Sequence, residues 1–222
     1  MSIAIPSLTR VPAAERGITI ADFLVPIRVG ERISPWFRHV ALIVAGALLI
    51  ALSSLISIPV PGSPVPITGQ TFAVMLVGGA LGFRRGTLAT LGYLMVGLFL
   101  PVYAQHASGI ATIATVKEGR FVLGATGGYL VGFVVAGALV GRLAELGWDR
   151  HVGAAVAAML IGNAVIYAIG LPWLMVASGQ SVEWTIANGL APFLLGDALK
   201  LLLAAGAFPA AWWVVGRRPG DR

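Results

Sequence analysis

The chain has no cysteine among its 222 residues. That excludes disulfides, iron–sulfur clusters and thiolate-bound metals. Its three histidines, His39, His106 and His151, lack the HExxH type of spacing, so no metal site and no cofactor are expected. No GxxxxGK[ST] segment occurs, so the chain is not expected to hydrolyse ATP itself. Charge is also scarce. Only 11% of residues are Asp, Glu, Lys or Arg, against about 25% in a soluble domain. The first 35 residues carry no apolar core after their basic residues, which a secretory signal would need. They are expected to form a cytoplasmic extension, either with a short amphipathic segment or as a disordered tail.

What the chain does have is apolar surface. Hydrophobic residues make up 58% and mean hydropathy is +0.90. A bilayer core is crossed by roughly 20 apolar residues. Six such segments are expected, at about 39–58, 66–83, 86–103, 122–141, 152–176 and 190–216. The expected class is therefore an all-α integral membrane protein, a bundle of six transmembrane helices over 39–216. An extension, 1–38, precedes it and a basic tail, 217–222, follows. Twelve of the fifteen Lys and Arg residues fall on one side of this scheme, among them Arg84, Arg85, Arg142 and Arg150. Only Lys117 and Arg120 fall on the other, and Lys200 lies within a span. Cytoplasmic loops collect Lys and Arg, so both termini are expected in the cytoplasm. The net charge of +6 then reflects membrane anchoring rather than nucleic acid.

Glycine is abundant, at 29 residues. Small residues let helices approach closely in lipid. The pairs Ala41/Ala45 and Ala47/Ala51 fit either packing inside the bundle or docking of a partner subunit. Between the first two spans, "IPVPGSPVPITGQTF" carries four prolines that stiffen it. It can act as a lid or only as a connection.

The segment "APFLLGDALKLLLAAG" places Asp197 and Lys200 in an apolar run, three residues apart and on one helical face. Ionisable groups inside a membrane mark a functional site or a mutually neutralised pair. Gln70, Thr126, Tyr129, Asn163, Tyr167 and Trp173 all map to the same outer depth. Each alone is ordinary packing or an interfacial ring. Together they outline a pocket open to the outside. Lys suits a carboxylate, Asp suits N–H groups, and aromatic faces cover an apolar ring. A small amphipathic acid with an N–H-bearing head would satisfy them all.

The segments "PVPITGQTFAVMLVGGALGFRRGTLATLGYLMVGLFLPVYA", "GATGGYLVGF", "YAIGLPWL" and "PFLLGDALK" resemble, in order, the BioY family. These are the biotin-binding S components of energy-coupling factor (ECF) transporters. The resemblance covers about residues 59–205. It implies the six-helix S-component fold and capture of biotin near the outer surface. It also implies work with a transmembrane coupling subunit and two ATPase subunits in a prokaryotic cytoplasmic membrane. The family's GDxxK motif matches Asp197 and Lys200, which are expected at the ureido group and the carboxylate of biotin respectively. Gln70 matches the closing loop, Tyr129, Tyr167 and Trp173 match aromatic positions, and Ala41 with Ala45 matches the AxxxA docking surface. Departures are Ala125, where the family often has Pro, a longer 104–123 loop and the N-terminal extension. A self-sufficient proton-linked transporter, with Asp197 as the protonation site, is the competing expectation. An intramembrane enzyme is disfavoured because no histidine lies within the core of a span.

Overall fold

The structure, a computed structural model, describes residues 19–24 and 34–214. The rest of the expected extension and the basic tail 217–222 lie outside the described residues. Among the described residues seven α-helices carry the fold: α1 (Ile20–Leu24), α2 (Pro35–Ser54), α3 (Gln70–Gly97), α4 (Gly127–Glu145), α5 (Val152–Ser178), α6 (Val182–Gly189) and α7 (Leu194–Val214). Among the described residues four stretches are long and apolar enough to cross a membrane: α2, α4, α5 and the α6–α7 run. Two small antiparallel hairpins interrupt the helical pattern. Strands β1 (Ser57–Ile58) and β2 (Ile67–Thr68) close the proline-rich loop. Strands β3 (Ala114–Lys117) and β4 (Arg120–Leu123) pair from Ala114↔Leu123 to Lys117↔Arg120. Glu118 and Gly119 turn between β3 and β4 with positive φ at both positions, 51° and 74°, as a tight hairpin turn requires.

The α3 run is a folded hairpin rather than one rod. Gly82 adopts φ 80° and ψ −179°, open to glycine alone, and splits the run into two legs. Gln70 donates a hydrogen bond to the Tyr93 hydroxyl across that break. In an unbroken helix, at 1.5 Å per residue, these two positions would stand roughly 35 Å apart. Gly86 lies so close to Gly78 that a Cβ would sit 2.8 Å from its Cα. The division expected at Arg84–Arg85 is thus realised two residues earlier, at Gly82.

Glycine does most of its work inside the bundle. A Cβ on Gly78 would meet the Gly137 carbonyl at 2.4 Å, and one on Gly141 would meet the Gly82 backbone at 2.7 Å. These contacts draw α3 and α4 together, and α4 then packs on α5 and α5 on α7. Ala47 and Ala51 pack against the main core with Ile50. Ala41 and Ala45 face outward. Of the two small-residue pairs, one is internal and one is free on the surface.

At the end opposite Gln70, α1 is clasped to the bundle. The Asp22 carboxylate accepts from Arg38 at 3.1 Å, Arg85 at 2.7 Å and the Thr19 hydroxyl at 2.9 Å. Burial pushes this carboxyl up. The hydrogen bond from Arg85, the Thr19 N–H and the Arg85 charge outweigh burial and hold it below its usual range. Helix α1 falls within the expected N-terminal extension, and its Ile20 and Ala21 are buried.

A second clasp joins α7 to the turn before α5. Trp212 Nε1 donates to Asp149 Oδ2 at 2.7 Å, and the Arg150 guanidinium stacks 4.8 Å from the Trp212 ring centre. Asp149 is 4% exposed and its Oδ1 has no hydrogen bond. Burial raises its pKa to about 6, against the lowering effects of Trp212 and Arg150. An acid whose folded pKa is raised binds more protons folded than unfolded between the two values. Stability from this group is therefore fully present near pH 4 and falls as pH rises through about 6. Asp149→Asn, which keeps an acceptor for Trp212, is expected to remove that decline. The gain at pH 7 is up to about 3 kcal/mol, from roughly 1.4 kcal/mol per pKa unit. Thermal unfolding of both proteins in detergent from pH 5 to 8 measures it.

Candidate binding pocket

Lys200 sits near the start of α7, where its ammonium has two partners. It donates to Thr71 Oγ1 at 2.7 Å and to Asp197 Oδ1 at 3.3 Å. An ammonium has three N–H donors, so one remains. Lys200 lines a cavity of about 570 Å³ at the ends of α3, α4 and α7.

The cavity wall is mostly apolar and aromatic. Tyr129 and Tyr167 meet edge to face, with ring centres 6.4 Å apart. Phe133, Ile166 and Phe193 continue that surface. Val65 and Pro66 close one side from the proline-rich loop, and Tyr103 and Ala104 close another. Polar groups are few: Lys200, Gln70, Thr68, Thr71, Thr112 and Thr126. Thr126 occupies the N-cap of α4 without making a capping hydrogen bond. Its hydroxyl is therefore not committed to the helix end.

Asp197 is placed differently from expectation. It is 4% exposed and does not line the cavity. Its Oδ2 accepts from the Tyr167 hydroxyl and its Oδ1 from Lys200. The carboxylate thus stands behind two wall residues and fixes both. The physical reason is the first turn of α7. Both residues share a face, but the longer Lys side chain reaches the cavity while the shorter Asp meets Tyr167 on α5.

Of the other expected residues, Gln70, Thr126, Tyr129 and Tyr167 line the cavity. Trp173 does not. Its indole donates to the Gly124 carbonyl at 2.9 Å and lies against Gly127 and Gly128. It pins the segment that carries Thr126. Asn163 lies one turn deeper than Tyr167, outside the cavity wall, and is 6% exposed with its Oδ1 unbonded. Sequence reasoning missed Thr71, Tyr93, Tyr103, Thr112 and Phe193. Thr71 had one available signal, its place beside Gln70. Tyr93 is fully buried, and its ring meets that of Tyr103 edge on at 5.7 Å behind Gln70. Among the described residues no group of acids and histidines could hold a metal ion.

This architecture matches known proteins. A model of the BioY family matches residues 27–217. The chain belongs to the BioY family. Its relatives within the family include the biotin transporter BioY of Rhizobium etli, 35% identical over 72% of this chain and 84% of that protein. The biotin transporter BioY of Thermotoga maritima is 35% identical over 71% of this chain and 85% of its own length. The fold is that of a crystallised S-component for biotin from an ECF-type ABC transporter. That structure superposes with a TM-score of 0.69 over 80% of this chain and 92% of the other, at 24% identity. Apolar helices and transporter relatives together make this BioY chain a multi-pass membrane protein.

Proposed function

We propose that this BioY protein is a biotin-capture subunit that takes the vitamin from the outer side and delivers it inward. The observation that carries this reading is the cavity itself. One ammonium with a spare donor lies at the edge of a wall of tyrosine and phenylalanine. Biotin has a matching division, a carboxylate on an alkyl chain and a compact ring with ureido N–H groups. The carboxylate pairs with Lys200. The ring lies against Tyr129, Tyr167 and Phe193, and the ureido group meets Gln70 and Thr126. Relatives at 35% identity are named biotin transporters, which supports the same substrate here.

The two legs of α3 with α2, α4, α5 and α7 make six passes. Arg84, Arg85, Arg142 and Arg150 then lie on the cytoplasmic side with both termini, and the cavity lies on the outer side. The chain carries no P-loop, so the energy comes from partners, the coupling subunit and ATPases of an ECF module. Ala41 and Ala45, exposed on α2, supply the close-approach surface for the coupling subunit. No catalytic step is required of this chain.

Uptake of radiolabelled biotin by cells carrying this chain tests the energetic assignment. Uptake is expected to stop when the ATPase partner is inactivated and to persist through a proton uncoupler while ATP is maintained. The reverse pattern would identify a proton-linked carrier and sink the ECF assignment.

A further inference from the structure

A second cleft opens at the other end of the bundle, between α2, the Gly82 break and α4. It is open to solvent and shares no lining residue with the first cavity. Its rim holds His39, Arg84, Arg85 and Arg142, with Glu145 as the one acid. Its wall holds Ile43, Leu81, Phe83 and Leu88.

The charges at this rim do not cancel. Asp22 is shared by Arg38 and Arg85, and Glu145 is held by Arg142 at 3.0 Å and by the Phe83 N–H at 2.9 Å. Arg84 has no ion pair among the described residues. Arg85 NH1 is buried and has no hydrogen-bond partner. Arg84 therefore lines the cleft with donors free of any ion pair, beside Arg85, whose NH2 is held by Asp22. Guanidinium forks suit phosphate oxygens.

The apolar half of the cleft decides what carries the anion. Phe83 and Leu88 are 44% and 51% exposed, directly beside the basic rim. A soluble anion has no use for such a wall, whereas an acyl chain does. Trp36 and Phe37, 71% and 56% exposed, stand about one turn before His39 on α2. Exposed aromatics of this kind mark headgroup depth in a bilayer. Basic pockets between helices at that depth bind anionic headgroups.

We infer that this cleft is a binding site for one anionic phospholipid, its phosphate on Arg84 and Arg85 and an acyl chain along Ile43 and Leu88. The inference rests on the membrane placement proposed above, though not on biotin as the substrate. The bound lipid would complete the Gly82 break, where the two legs of α3 meet α1, and so brace the hinge end of the hairpin.

The test is native mass spectrometry of the purified chain, counting lipid molecules retained on release from detergent. Phosphatidylglycerol is compared with phosphatidylcholine of the same acyl chains, and glycerol 3-phosphate serves as the chain-free competitor. The wild type is expected to retain one phosphatidylglycerol in preference to phosphatidylcholine. Arg84→Ala is expected to weaken that retention about fivefold, while Arg120→Ala, which removes one charge at the opposite end, leaves it unchanged. Biotin binding by Arg84→Ala reports that the variant is folded. Equal retention of the two lipids by the wild type overturns the site, whatever the variants do. Displacement by glycerol 3-phosphate as effective as by phosphatidylglycerol overturns the lipid assignment in favour of a soluble phosphate.

Discussion

Lys200→Ala is expected to weaken biotin binding by at least about thirtyfold, since losing one partner of a desolvated charge pair costs roughly 2–5 kcal/mol. Two separate losses are folded into that number. The ligand carboxylate loses its cation, and Asp197 loses Lys200 while remaining buried at 4% exposure. An uncompensated buried carboxylate destabilises the fold itself, typically by 3–5 kcal/mol. The double variant Lys200→Ala/Asp197→Asn separates the two. Asn keeps an acceptor for Tyr167 and carries no charge. The double variant is expected to regain most of the melting temperature lost by Lys200→Ala without regaining biotin affinity. Isothermal titration and thermal unfolding on the three proteins read both quantities. Recovery of binding in the double variant would mean that Lys200 serves only to neutralise Asp197, and the carboxylate of biotin would have to be placed elsewhere.

That distinction could not be drawn from sequence. The spacing of Asp197 and Lys200 puts both on one face of α7, and the cost of charge in lipid marks that face as important. Periodicity does not say which of two neighbours reaches a cavity. That depends on side-chain length and on Tyr167, which approaches from α5 and takes one carboxylate oxygen. The same limit applies to Trp173 and Asn163. Their depth was legible, but their direction was set by Gly124, Gly127 and Gly128 in one case and by packing inside the bundle in the other. Polar residues in an apolar chain stand out, so Gln70 and Thr126 could be found. Phe193 and Tyr103 could not, because one more aromatic at the end of an apolar run carries no signal. The fold was more legible than the site. Arg clusters and apolar runs locate the helices. What they miss is the backbone device at Gly82, since φ of 80° at one glycine among 29 leaves no mark in composition.

Trp173→Ala is expected to weaken biotin binding by tens of fold although Trp173 touches no part of the cavity. The indole holds the Gly124 carbonyl at 2.9 Å and lies over Gly128, where a Cβ would stand 2.3 Å from its own Cβ. Gly124 in turn donates to the Ile113 carbonyl at 2.8 Å. Through these two bonds one side chain ties α5 to the root of the β3–β4 hairpin and to the start of α4. Thr112 and Thr126, which stand on that root, form one wall of the cavity. Truncation removes the hydrogen bond and opens a void, typically costing 3–5 kcal/mol when a large aromatic is cut to Ala in a packed site. Because the wall loosens while Lys200, Tyr129 and Tyr167 keep their places, the loss should appear mainly as faster dissociation, with the association rate changed by less than about threefold. Trp173→Phe removes the hydrogen bond and retains most of the packing, so its effect should be intermediate. Stopped-flow measurement of both rate constants decides the matter. Unchanged dissociation in Trp173→Ala would show that the hairpin root holds its position without the clamp, and that the outer wall is rigid through Gly124 and Ile113 alone.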